Sequence, residues 1–351
     1  MTQASNIVRT DDPFQQLLVK ISLSVCLGVS NKGKMFMDKK IPVIAVIGPT
    51  ASGKTGLAVA IAKKFGGEVV SADSMQIYSE LTVGTAKPTE KEMDGIPHHL
   101  VGHKSIDEEY SVADYVEEAK KAIEDIVSRG KIPVLCGGTG LYVDSLLSNT
   151  EFSEIKSDIS IREKYHEFAK TNGNEALFEK LREIDPETSL KTHANNLSRV
   201  VRALEVYEIT GKTMSEHQKD SHPVPSIYDV CYIGTNFSER EKLYSRIEQR
   251  IDEMLEEGVE KEARFLFEHD GTCTAAQAIG YKEFYPYFHG EMSREEAISV
   301  LKKETRHYAK RQITWFKRNI NINWIYKDEF LDKQEFFNKA FEIVQNFLEK
   351  K

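Results

Sequence analysis

The stretch "IPVIAVIGPTASGKTGLAVAIAKKFGGEVVSAD", residues 41–73, decides the fold. Its opening, "IPVIAVI" (41–47), is a continuous apolar run of strand length, the pattern of a strand buried on both faces of a parallel sheet. A glycine-rich turn follows. Then "TGLAVAIAKKF" places Leu57, Ile61 and Phe65 on one helical face and stops at Gly66-Gly67. "EVVSAD" is a second strand, and its last residue, Asp73, is an isolated carboxylate whose job must be found.

The turn, Gly48, Pro49, Thr50, Ala51, Ser52, Gly53, Lys54 and Thr55, satisfies G-x-x-x-x-G-K-[ST] and lies between strand and helix, the context that motif needs. Its glycines let backbone N–H groups turn inward around phosphate oxygens, and the helix N-terminus adds its positive end. Lys54 would reach the terminal phosphates and the Thr55 hydroxyl would hold Mg²⁺. Further on, "SVADYVEEAKKAIEDIVSRG" opens with Ser111 as N-cap and closes on Gly130, and "IPVLC" (132–136) is a third buried strand. This cadence predicts an α/β fold: a P-loop NTPase-like parallel-sheet core with helices on both faces, its ligands at the carboxyl ends of the strands.

From 151 to 225 the strand signal disappears, and Asn-Gly, Asp-Pro and Gly punctuation divides the chain into short helices. The sheet resumes with "YDVCYIGTNF" (228–237), followed by long helices, a short strand "INWIY" (322–326) and a terminal amphipathic helix near 332–349. The expected organisation is therefore an N-terminal extension (1–39), a first part of the core (40–150), a helical insertion domain (151–225) and a second part of the core (226–351). In the extension an apolar run from Leu17 to Val29 is broken by Lys20, and Asp11 and Asp12 stand where a signal peptide carries basic residues. With Met35 and Met37 just before the first strand, an over-called start or a dispensable segment is expected.

Composition narrows the class. The 351 residues are 40% hydrophobic and 29% charged, enough for a sizeable core. Cys26, Cys136, Cys231 and Cys273 form no C-x-x-C pair, which argues against a zinc site or a disulfide framework and for a reducing, cytoplasmic setting. No apolar run reaches the length of a membrane span. The net charge of −8 speaks against a nucleic-acid partner for the chain as a whole, although steering depends on local patches. Oligomeric state stays open, with a monomer expected.

An ordinary nucleoside-triphosphate hydrolase carries an Asp at the end of an apolar strand to help hold Mg²⁺. Here "IPVLC" leads into "GGTGLY", without a carboxylate, and the acid stands at the end of the second strand as Asp73. A general base there needs a proton donor other than water or sugar, such as an exocyclic amine. A basic segment, "LKKETRHYAKRQITWFKRN" (301–319), puts Arg306, Lys310 and Lys317 on one helical face, beside Arg311, with Tyr308, Trp315 and Phe316 interleaved. It reads as an RNA-tracking stripe or as a solvated face over core aromatics. Arg246 and Arg250, one turn apart, converge on phosphate or pair with Glu253 or Glu257. Adjacent His98 and His99 point opposite ways on extended chain, a structural or substrate-loop arrangement rather than one metal site.

"GPTASGKT", "SADSMQIY", "GTAKP", "PHHL", "YSVADY", "GGTGLY", "RALEVYEITGK" and "KRQITWF" occur in that order, and over residues 41–326 the chain resembles the bacterial-type tRNA dimethylallyltransferases, the tRNA isopentenyltransferase family. The resemblance implies transfer of a dimethylallyl group from dimethylallyl diphosphate to N6 of adenosine 37, beside the anticodon of tRNAs that read codons beginning with U. Dimethylallyl diphosphate rather than ATP would then occupy the loop from Gly48 to Thr55, with Arg250 beside it and Mg²⁺ as cofactor. Asp73 matches the general base and Thr139 a position contacting the reacting adenosine. The anticodon stem-loop would meet Asp73, Ser74, Met75 and Gln76, the block Asn195, Asn196, Leu197, Ser198 and Arg199 of the insertion, the block Gln277, Ala278, Ile279, Gly280, Tyr281 and Lys282, and the basic Lys310 and Arg311. Eukaryotic relatives add a C-terminal zinc finger, and no Cys or His pair follows His307 here. The rival readings are a small-molecule phosphotransferase, which leaves "DSMQIY" and "GGTGLY" without a role, an adenylate prenyltransferase acting on free AMP, and an RNA-binding module with an unused loop, which the intact Lys54, Thr55 and Asp73 oppose.

Overall fold

β1 (Ile41–Ile47) is flanked on both sides in a six-stranded, all-parallel sheet of order β3-β2-β4-β1-β5-β6. The other strands are β2 (Gly67–Ser71), β3 (His98–His99), β4 (Ile132–Gly137), β5 (Tyr228–Asn236) and β6 (Asn323–Tyr326). A computed structural model describes residues 40–149, 155, 157–220, 225–269 and 274–350. The expectations for residues 1–39, and for Cys26 and Cys273, lie outside these.

Register explains why β1 is apolar throughout. Ile44 pairs with Val134 of β4 and with Cys231 of β5, and strand side chains alternate between faces. Ile44, Val46, Val134 and Ile233 pack with Leu57, Ile61 and Phe65 of the helix Lys54–Phe65 and with Phe336 and Val344 of the terminal helix Lys333–Leu348. Val43, Ala45 and Ile47 face the other way and are equally buried. On that side the helix Val112–Ser128 packs on β2 and β4. Each fully buried Leu, Ile or Phe contributes about 1.5–3 kcal/mol, so both layers are needed to hold a strand with no polar face.

Helix boundaries follow the caps read from sequence. Gly66 takes the left-handed conformation that closes the first helix, its N–H donating to Ala62 O. Ser111 and Asp114 form a reciprocal capping box. β2 ends at Ser71, so Asp73 stands two residues beyond the strand rather than within it. β3 bears out the extended chain read at His98 and His99, but a two-residue edge strand leaves no periodicity by which to place it in the sheet.

Residues 149–225 cluster as a second compact unit. Among its described residues, the helices Ile159–Asn172, Asn174–Ile184 and Leu197–Thr210 close over Leu177, Phe178, Leu181, Val200 and Leu204. Glu205 is completely buried there, and it is stabilised by Arg162 Nε at 2.9 Å, Arg202 Nη1 at 2.7 Å and the Asp158 amide at 2.8 Å.

Candidate active site

The phosphate loop is forced into shape by what surrounds it. Gly48 has φ +148°, and a Cβ there would lie 2.3 Å from the Thr235 carbonyl oxygen of β5. Ser52 and Thr235 hydroxyls are hydrogen-bonded at 2.7 Å, fastening the loop to the same strand. Lys54 Nζ donates to Pro49 O at 2.8 Å across the loop. Burial lowers the Lys54 pKa to about 8; the neighbouring Cys136 opposes the shift and the Arg250 guanidinium adds to it. Arg250, on the helix Arg240–Glu257, reaches Thr50 Oγ1 at 3.5 Å, and burial lowers its pKa too. Among the described residues neither cation is in a salt bridge, and the charge that partly offsets both is the Asp73 carboxylate on the same cavity. Arg246 takes the other course and approaches Glu253 at 3.5 Å.

Asp73 belongs to a tight turn. Its Oδ1 accepts from the amides of Met75 at 2.9 Å and Gln76 at 3.4 Å. Thr139 Oγ1 accepts from Ser74 N at 3.1 Å, so the "GGTGLY" loop buttresses the aspartate turn. Close approach demands the glycines: a Cβ on Gly137 would lie 2.1 Å from Ala72 O, and one on Gly138 would lie 2.2 Å from Gln312 Nε2. Gln312 is the residue whose part the sequence reading missed. It is 5% exposed, accepts from Thr50 N at 2.8 Å and donates to Gly138 O at 2.9 Å, tying the phosphate loop to the glycine loop. Its presence in "KRQITWF" was the available signal, obscured by the cationic reading of that segment. Burial, with the nearby Asp73 charge, raises the Tyr308 phenol, against hydrogen bonds to Thr139 and Gln312.

These elements enclose a cavity of about 370 Å³. Thr50, Ala51, Lys54 and Thr55 form one wall, Asp73, Ser74, Met75 and Gln76 another, and Arg250, Tyr308, Arg311 and Gln312 face them. Gln277, Ala278, Ile279, Gly280, Tyr281 and Lys282 complete the lining, with apolar surface from Ile247, Ile251, Met254 and Leu301. Tyr281 is fully buried and its hydroxyl donates to Glu262 at 3.0 Å, so it supports the wall from behind. Gly48, Pro49, Ser52 and Gly53 shape the loop outside the lining. Thr139 acts through Ser74.

Other candidates stand elsewhere. Asn195, Asn196, Ser198 and Arg199 are exposed at the start of the helix Leu197–Thr210, in the unit 149–225, while Leu197 packs on that unit's core. Lys310 opens onto a separate groove with His307, Arg311, Thr314, Trp315 and Arg318, where the Arg318 guanidinium lies 4.0 Å over the Trp315 ring. Two parts of the basic stripe are corrected. Phe316 is 2% exposed, a core residue with no face for a base, and Arg306, half-buried, is already paired with Glu248. Lys302 likewise pairs with Asp252 at 2.6 Å. The adjacent histidines diverge: His98 Nδ1 bonds Ile96 O at 2.8 Å and His99 Nε2 bonds Glu68 at 2.7 Å.

Thr55 and Asp73 put a hydroxyl and a carboxylate on the same cavity. The Thr55 hydroxyl suits magnesium, which takes one or two protein oxygens and completes its shell with phosphate and water, and this leaves the Asp73 carboxylate for the acceptor. Among the described residues no cluster of three or more His, Cys, Asp or Glu forms a self-sufficient metal site. No helix among them is long and apolar enough to cross a membrane.

The family model described as IPP transferase matches residues 76–319. The chain belongs to the IPP transferase family. Among curated members, a tRNA dimethylallyltransferase from Acetivibrio thermocellus is 51% identical over 290 residues, covering 82% of this chain and 92% of the relative. Of solved members, the full-length tRNA isopentenylpyrophosphate transferase from Bacillus halodurans superposes with a TM-score of 0.67 at 41% identity, covering 89% of this chain and 98% of that one. A eukaryotic dimethylallyltransferase acting on tRNA superposes with a TM-score of 0.73 at 32% identity, covering 89% of this chain and 80% of that one. The family match includes "GGTGLY" and "KRQITWF", the blocks that Gln312 joins to the phosphate loop.

Proposed function

We propose that the protein is a tRNA dimethylallyltransferase, which moves a dimethylallyl group from dimethylallyl diphosphate to N6 of adenosine 37, beside the anticodon, in tRNAs reading codons that begin with U. One observation carries the reading: Asp73, Lys54 and Arg250 line a single cavity, an acid with two cations that among the described residues are in no salt bridge.

The adenine N6 amine attacks the allylic carbon of the donor. The N–C bond forms as the C–O bond to diphosphate breaks, and Asp73 takes the proton that N6 gives up. Lys54, Arg250 and the loop amides receive the negative charge that collects on the departing diphosphate. Thr55 would hold magnesium, which would supply further positive charge at the same leaving group. Ile247, Ile251, Met254 and Leu301 supply apolar surface for the five-carbon tail and exclude water from the allylic centre. The target base is extruded from the anticodon loop to reach the cavity. Lys310 and Arg311, with the exposed residues at Asn195–Arg199, contact the RNA backbone. The reaction takes place in the cytoplasm.

The test is incubation of the purified protein with Mg²⁺ and labelled dimethylallyl diphosphate, in parallel with unmodified tRNA, AMP or buffer. Label on tRNA alone is expected. Label on AMP would move the acceptor to a free nucleotide, and phosphate transfer from ATP without prenyl transfer would overturn the reading.

A further inference from the structure

Glu262 stands outside the cavity, on the helix Val259–Glu268, yet its carboxylate is the most heavily engaged acid near it. Oε1 accepts from Thr82 N at 2.8 Å, Thr82 Oγ1 at 2.8 Å and Val83 N at 2.9 Å. Oε2 accepts from Gly84 N at 2.9 Å and from the Tyr281 hydroxyl at 3.0 Å. Three consecutive backbone amides turned toward one carboxylate form an anion nest, here filled by a side chain from about 180 residues away. Burial pushes the Glu262 pKa up, but the amides of Gly84, Val83 and Thr82 outweigh it and the net shift is downward.

What the carboxylate holds matters for the cavity. Gly84, Thr85 and Ala86 line it, and the carbonyls of Thr85 and Ala86 accept from Gln76 Nε2 at 3.3 and 3.1 Å. Gln76 also lines the cavity, and its backbone amide donates to Asp73 Oδ1. On the other side the Tyr281 ring closes on Gly84, where a Cβ would lie 2.5 Å from ring carbons. Glu262 thus fastens "GTAKP" to "QAIGYK", two cavity walls from distant parts of the chain, and the first fixes the side chain next to the aspartate turn.

We infer that Glu262 is a positioning residue for the transfer reaction: its carboxylate sets the backbone of residues 82–86, which orients Gln76 and the Asp73 turn toward the acceptor base. The inference rests on the transferase reading above. Among the described residues the phosphate loop shares no hydrogen bond with this clamp, so acceptor geometry and donor binding separate on substitution.

Glu262→Gln keeps the size of the side chain but turns an NH₂ group toward N–H and O–H donors. The experiment compares this variant, Tyr281→Phe and wild type in single-turnover transfer to tRNA, with the Kd for dimethylallyl diphosphate by calorimetry and amide hydrogen exchange over residues 82–86. For Glu262→Gln the transfer rate is expected to fall about 100-fold, the effect of misplacing a reacting group by about an ångström. Donor Kd should stay unchanged and exchange should rise in 82–86 alone. Tyr281→Phe, which keeps the three amide contacts, should lose far less rate. Wild-type kinetics in Glu262→Gln would overturn the inference, as would an equal loss of donor affinity, the mark of general disruption. Wild-type protein that labels no tRNA would refute the transferase reading, whereas active wild type with an unaffected variant refutes the clamp alone.

Discussion

Raising the pH above about 8 should weaken donor binding, because the Lys54 ammonium that receives the diphosphate titrates there. Burial lowers its pKa from 10.5 to about 8 in the free protein. A lowered base is charged below the folded value, so affinity is level up to about pH 8 and falls about tenfold per pH unit above it. A bound diphosphate returns an opposite charge and draws the pKa back toward 10.5 or beyond, so the fall continues to at least that pH. The gap between 8 and 10.5 corresponds to a coupling of about 300-fold between protonation and donor affinity, as an order of magnitude. Lys327, whose Nζ stands beside Gly53 and whose pKa burial also lowers, is the neighbour for which the Lys54→Met control is needed. The Cys136 thiol is pushed up to about 11 by burial, burial also raises Tyr308, and the donor's own ionisation is complete above neutral pH. Calorimetric titration of dimethylallyl diphosphate without tRNA, from about pH 7 to about pH 9.5, should show the break, and Lys54→Met should bind more weakly with no break. Donor affinity independent of pH across that range, or a break that survives in Lys54→Met, would refute the reasoning.

Three further outcomes follow from the geometry. Asp73→Asn keeps an oxygen for the Met75 amide but cannot take the N6 proton, so single-turnover transfer should drop about 100- to 10,000-fold while tRNA Kd by filter binding is retained; a near-normal rate would remove the base assignment. Gln312→Leu leaves the buried Gly138 carbonyl without its partner, at about 1–3 kcal/mol, and frees the half-buried Thr50 amide, so it should raise the donor KM together with a loss in denaturation midpoint. Glu68, 1% exposed, is held far below its usual value of 4.5, first by the Arg129 hydrogen bonds and then by Lys131 and His99 against the penalty of burial. A lowered carboxylate stabilises above 4.5 and loses that contribution as pH falls, so Glu68→Gln should be less stable than wild type by about 1–3 kcal/mol at neutral pH, the difference closing in acid. Equal acid midpoints and equal neutral stability would show that the network contributes nothing.

The sheet was legible because its signal is local. Seven apolar residues at 41–47 can satisfy both faces of a strand only in the centre of a parallel sheet, and the Gly-rich turn between that strand and an amphipathic helix identified the ligand edge. Asp73 could be singled out because the acid expected after "IPVLC" is missing there. The long-range partners of the charged side chains were not legible. Arg246 meets Glu253 on its own helix, a pairing the sequence offered, but only the path of the chain brings Arg250 to Thr50. Arg306 reads as free in the sequence because Glu248 is 58 residues away.

A cavity wall raises the same difficulty in stronger form, since its residues are chosen by what lies behind them. Gly84 and Gly138 look like turn glycines, but their missing Cβ atoms make room for the Tyr281 ring and the Gln312 carboxamide. Those two buried side chains, with Glu262, bind the chain's early loops to its late helices. Sequence periodicity carries no record of such pairings, because each depends on one atom of a distant residue rather than on a repeated face. The two sides of the cavity have separate long-range supports: Glu262 holds residues 82–84 on the acceptor side, and Thr235 and Gln312 hold the phosphate loop on the donor side. Substitutions of Glu262 and of Lys54 should accordingly separate acceptor transfer from donor binding.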